Sequence, residues 1–133
     1  MMIKCTEDIV TADDSAWMNI FIGLGEEPSM NKGWESYEYV INRSRDAVSG
    51  SAKIERLNSD FSGHECGSAK YIVSGSVMQI EFPKSSISLE TNASFYFKVA
   101  DGVLQPEEIM SYYESGMSMP IGRLSYLYQT YTG

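Results

Sequence analysis

Gly33-Trp34-Glu35-Ser36-Tyr37-Glu38-Tyr39-Val40-Ile41-Asn42-Arg43 is the stretch on which the fold turns. From Ser36 onward it alternates. Tyr37, Tyr39 and Ile41 point one way and Glu38, Val40 and Asn42 the other, the period of a strand. Before it lies the loop Gly23-Leu24-Gly25-Glu26-Glu27-Pro28-Ser29-Met30-Asn31-Lys32, which interrupts the apolar run Trp17-Met18-Asn19-Ile20-Phe21-Ile22. Two strands around a glycine-bearing loop read as a hairpin, and the Gly-Trp pair puts a large flat ring at its mouth.

Further strand signals recur at short spacing with turn chemistry between them, the pattern of a sandwich or jelly roll. They fall at Met2-Ile3-Lys4-Cys5, Val48 to Leu57, Ala69 to Val73, Val77 to Phe82, Ser94 to Ala100 and Arg123 to Thr130. Ser74-Gly75-Ser76 reads as a three-residue hairpin connection. Pro83 cannot donate to a ladder and ends the strand before it. Lys84 to Leu89 reads as a short turn that packs Ile87 and Leu89 inward. One short helix is expected at Pro106 to Tyr113, with proline at its first position, acids in its first turn and Gly116 beyond its end. The expected fold is an all-β antiparallel sandwich of jelly-roll type, in a single domain covering residues 1–133. The chain begins inside its first recognisable strand, which reads as a domain lacking an N-terminal strand or two and leaving an edge unpaired.

At 133 residues, 43% hydrophobic and 12% aromatic, the chain has a globular composition and enough length for one core. A net charge of −8 argues against nucleic acid, which needs clustered Lys and Arg, and against anionic membranes. No apolar run reaches the length of a membrane span, and the first residues lack a signal pattern, so a signal for export would lie outside this chain. Cys5 and Cys66 are open to either one disulfide or two free thiols. His64, in Ser62-Gly63-His64-Glu65-Cys66-Gly67, reads as a solvated loop histidine, because the sequence supplies no further ligands for zinc.

The chain resembles the β-sandwich domains related to family-nine carbohydrate-binding modules and the wider DOMON-like group, found in bacterial glycoside hydrolases and surface proteins. The resemblance is carried by 13–22 (Asp-Asp-Ser-Ala-Trp-Met-Asn-Ile-Phe-Ile) and by 33–43. It continues through Phe95-Tyr96-Phe97-Lys98-Val99-Ala100-Asp101, Ile109-Met110-Ser111-Tyr112-Tyr113 and Gly122-Arg123-Leu124-Ser125-Tyr126. It covers nearly the whole chain. It implies a non-catalytic carbohydrate-binding accessory module, extracellular or at the cell surface of a bacterium, with a polysaccharide or oligosaccharide and a neighbouring catalytic domain as partners. The alternative is a structural domain that packs against that neighbour and binds no sugar. Gly23 and Gly25 stand where relatives carry aspartates, and Met117 stands where they carry another. No cofactor is expected, and the calcium that the resemblance would allow is left open, because these positions lack the family's acids. Asp13, Asp14, Glu26, Glu27, Asp101, Glu107 and Glu108 read as a solvated acidic surface, without the fixed ligand spacing of a calcium loop.

Sugar binding needs a flat ring for the C–H face of a pyranose and polar groups for its hydroxyls. Trp34 is the candidate platform, with Tyr37, Glu35, Asn42 and Arg43 as polar partners. Each also has a packing role open to it: Trp34 as a cap on the core, Tyr37 lining it, Arg43 in an ion pair with Glu38 or Asp101. No pair of carboxylates stands out for glycosidase chemistry, so an enzyme is not expected.

Overall fold

The computed structural model describes residues 1–5, 9, 18–25, 37–45, 50–89, 94–101, 117–119 and 125–128, without the side chains of 44, 45 and 117. The helix expected at 106–113 lies outside them. Among the described residues nine strands are formed: β1 (Met2–Lys4), β2 (Asn19–Leu24), β3 (Tyr39–Arg45), β4 (Ser51–Leu57), β5 (Gly63–Ser74), β6 (Val77–Glu81), β7 (Phe95–Asp101), β8 (Met117–Met119) and β9 (Tyr126–Tyr128). They pair antiparallel in one sheet of order β1-β6-β5-β4-β3-β2-β7-β8, with β9 also on β7. The all-β antiparallel class is as the alternation requires. The described strands lie in one curled sheet, an open half-barrel.

The curl follows from where the apolar residues fall. In a flat sheet β6 and β2 would stand four strand spacings apart, roughly 19 Å. Yet Met78 and Ile80 of β6 belong to one buried cluster with Ile20 and Ile22 of β2, Tyr39 and Ile41 of β3, Ala52 and Ile54 of β4, and Ala69 of β5. Phe95, Phe97 and Val99 of β7 pack against the same cluster. The opposite face carries a smaller core of Phe21, Tyr37, Val40, Leu57, Phe61, Tyr96 and Ala100. Burying one such aliphatic or aromatic side chain is worth about 1.5–3 kcal/mol, so the larger cluster dominates the drive to curl.

Several local expectations shift. Ser74 pairs with Val77, so the hairpin has two connecting residues, Gly75 and Ser76. Gly75 has φ +58 while Ser76 is not among the positive-φ residues, the pattern of a type II′ turn. The segment around His64, expected as a loop, is the start of β5, opposite Arg56 and Glu55 of β4. Its polar, glycine-bearing composition suits a strand exposed on its outer side. Pro83 does terminate β6, and Lys84–Ile87 forms a single 3-10 turn that buries Ile87. Tyr39 donates from its hydroxyl to Ser88 Oγ at 3.1 Å, which fastens this turn to the middle of the sheet.

Two irregularities decide which side chains face which way. The β3–β4 register shifts between Ile41 and Arg45, and Asn42 sits there at φ +69, a conformation that asparagine tolerates better than most residues. Strict alternation would put Arg43 on the face of Ile41. The bulge turns it to the other face, against Phe61 and Glu55. At Gly23 the cross-strand partner is Tyr96, and an added Cβ would collide with the Tyr96 ring. The tyrosine ring thus lies over the glycine and covers the backbone there.

Candidate functional site

Of the residues expected to bind a ligand, Trp34 and Glu35 lie outside the described residues, as do Asp13, Asp14, Glu26, Glu27, Glu107 and Glu108. The other three are buried with their hydrogen bonds turned inward. Tyr37 is 3% exposed. It precedes β3, so the alternation does not reach it. It faces away from Tyr39, between Phe21 (5.4 Å between ring centroids) and Tyr96 (5.9 Å). Its hydroxyl lies 2.5 Å from Ser125 Oγ.

Asn42 donates from Nδ2 to the carbonyl of Met18 at 2.9 Å. Arg43 donates from Nε and Nη2 to the two oxygens of Glu55, both at 3.2 Å, and from Nη1 to the Phe61 carbonyl at 2.6 Å. Its guanidinium also lies over the Phe61 ring, 4.9 Å from the centroid. The ion-pair reading of Arg43 is right in kind, but the partner is Glu55 rather than Glu38 or Asp101. Glu38 accepts from Leu24 N and Asp101 from Met18 N. The bulge at Asn42 is the reason, because it swings the guanidinium to the side of Glu55.

Cys5 and Cys66 are both free thiols. Cys66 lies at a second bulge, opposite the Ile54–Glu55 step, and is 3.6 Å from the Ser86 carbonyl. Burial, as the largest cause, pushes both thiols above their ordinary pKa, which disfavours the reactive thiolate. Among the described residues no three His, Cys, Asp or Glu are grouped to hold a metal ion. Among them, too, no helix is long and apolar enough to cross a membrane.

What the described surface presents instead is aromatic and apolar, at the two ends of the sheet. At one end Met1, Met2 and Ile72 are exposed beside a shallow cleft of about 830 Å³ that Lys70, Gln79 and Glu81 also line. At the other, Tyr126 and Tyr128 of β9 are 44% and 48% exposed, with Leu127 and Met119 beside them. Tyr128 pairs with Phe95 and Tyr126 with Phe97 across the ladder. Their rings stack at 4.9 Å and tilt at 5.5 Å between centroids, and Phe95 and Phe97 are 5.9 Å apart. The result is a two-by-two block of rings, two half-buried and two open to water.

Tyr126 and Tyr128 fall within the strand expected at Arg123 to Thr130 but were not among the expected ligand residues. The signal was present as two tyrosines at i and i+2 near the end of the chain. Comparison of the chain with protein-family models, with curated proteins and with solved structures found no match.

Proposed function

We propose that the chain is a non-catalytic carbohydrate-binding accessory module of an extracellular bacterial carbohydrate-active protein. In this reading it recognises a polysaccharide or oligosaccharide beside a neighbouring catalytic domain. The observation that carries it is the pair of solvent-open rings, Tyr126 and Tyr128, backed by Phe95 and Phe97. Flat rings that are apolar on the face and polar at the tip suit a ligand with both C–H faces and hydroxyls. The jelly-roll sandwich belongs to the same proposal. Half-buried Phe95, Phe97 and Val99 line the rim of the larger core, where further chain closing over the curled sheet would find apolar surface. Fold alone assigns no activity, so the reading rests on the rings.

A second reading is favoured by a different observation. Tyr37, Asn42 and Arg43 are buried and bonded internally, and Met1, Met2 and Ile72 leave apolar surface open. Those features support a structural domain that packs against a neighbour and binds no sugar.

Fluorescence separates the two. The chain has two tryptophans, Trp17 and Trp34. Titration with soluble oligosaccharides, with and without calcium and with Trp34→Phe as control, should give a saturable change if the module binds glycans. A folded chain that binds no sugar either by emission or by calorimetric titration would favour the packing role.

A further inference from the structure

We propose that Tyr126 and Tyr128 form a stacking platform for a linear, uncharged oligosaccharide laid along β9. The inference rests on the carbohydrate-binding reading and deepens it by naming the site and the ligand's chemistry.

Four features of this rim lead to it. First, the two rings lie on the same face of one strand, about 6.8 Å apart along it. A row of rings matches successive units of a chain better than a single compact ligand. Second, the rings are fixed before any ligand arrives. Each is paired across the ladder to a phenylalanine and in ring contact with it, Tyr128 on Phe95 and Tyr126 on Phe97. Little side-chain entropy remains to be lost on binding. The residue just before Tyr126 is held as well, through the Tyr37–Ser125 hydrogen bond.

Third, neither 125–128 nor Phe95, Phe97 or Met119 carries a charge, and the chain as a whole is at −8. An anionic glycan would meet no cation among these residues and an unfavourable overall field. Fourth, among the described residues β9 is three long, an edge that offers a poor template there for pairing with another strand. The exposed rings, rather than the backbone edge, are what this rim presents.

Calorimetric titration of the full chain with cellohexaose, xylohexaose, mannohexaose, maltohexaose and an oligogalacturonate tests the proposal. At least one neutral probe should bind, and Tyr126→Ala and Tyr128→Ala should each weaken it about tenfold. Tyr126→Phe and Tyr128→Phe should bind within about threefold of the unaltered chain, because the ring face carries the contact. Amide shift changes in the unaltered chain, concentrated at 95–97 and 126–128, give a readout that needs no variant to fold.

Unchanged affinity in the double alanine variant, with shifts elsewhere, would overturn the platform and leave the carbohydrate reading standing. A folded chain that binds none of the five would overturn both. Tighter binding of the oligogalacturonate would overturn the uncharged ligand. If the residues of β9 respond instead to protein concentration in the absence of sugar, the strip is a contact between copies of this chain and the proposal fails.

Discussion

The hydroxyl of Tyr37 lies 2.5 Å from Ser125 Oγ, a hydrogen bond that spans 88 residues of sequence and fastens the entrance to β3 to the entrance to β9. It brings the middle of the 33–43 stretch beside the strand that carries the exposed tyrosines. Tyr37→Phe should therefore lower stability by about 0.5–1.5 kcal/mol, the usual net worth of one hydrogen bond. Ser125→Ala should cost a similar amount, and the double variant no more than either alone. Urea denaturation of the three variants measures this, and additive losses would show that the two hydroxyls act separately.

Arg43 and Glu55 are a buried pair whose side chains are 7% and 12% exposed. Removing one partner leaves the other charge in a poorly solvated place, at about 3–5 kcal/mol. Glu55→Ala and Arg43→Met should each be severely destabilised, and the double variant should recover part of the loss. A double-mutant cycle by denaturant melts checks the sign of the coupling. If Arg43→Met is neutral, the guanidinium does not hold the Phe61 carbonyl and its loop in the way described.

Asn42 combines a positive φ with a hydrogen bond to Met18. Asn42→Gly keeps the backbone comfortable and loses only the hydrogen bond, so about 1 kcal/mol is expected. Asn42→Ala loses the bond and adds the strain of a Cβ in the left-handed region, a further 1–2 kcal/mol or so. The alanine variant should therefore melt below the glycine variant. The reverse order would mean that this bulge is not left-handed in solution.

Tyr96 is buried over Gly23, and its pKa is pushed up to about 12, chiefly by burial and then by Glu38 and Tyr37. The folded state thus holds the phenolic proton more tightly than the unfolded chain, whose tyrosines titrate near 10. Its contribution to stability is full below pH 10 and is lost as pH rises through about 12. Denaturation midpoints measured across this range should fall with pH, and Tyr96→Phe should flatten the slope. A slope that survives in the phenylalanine variant would assign the effect to other groups.

The period-two alternation of Tyr39, Val40 and Ile41, the glycine between β5 and β6 and the proline after β6 were legible in the sequence. Each is a local property: a side chain's direction along a strand, a backbone dihedral, a missing N–H. They determined that the protein is antiparallel β and where several strands meet. The candidate site was less legible. Tyr37 falls just before its strand begins, so the alternation that ordered Tyr39 to Ile41 assigned it to the wrong face, and Arg43 falls just after a bulge, beyond which that alternation no longer holds.

Only the tertiary structure decided those faces, the partner of Arg43, the strand that begins at Gly63 and the exposure of Tyr126 and Tyr128. The physical reason is the same for each. A bulge, a buried ion pair or an open ring depends on what a distant strand places opposite it. Tyr96 over Gly23 and Phe95 beneath Tyr128 are contacts between segments that the chain order keeps apart.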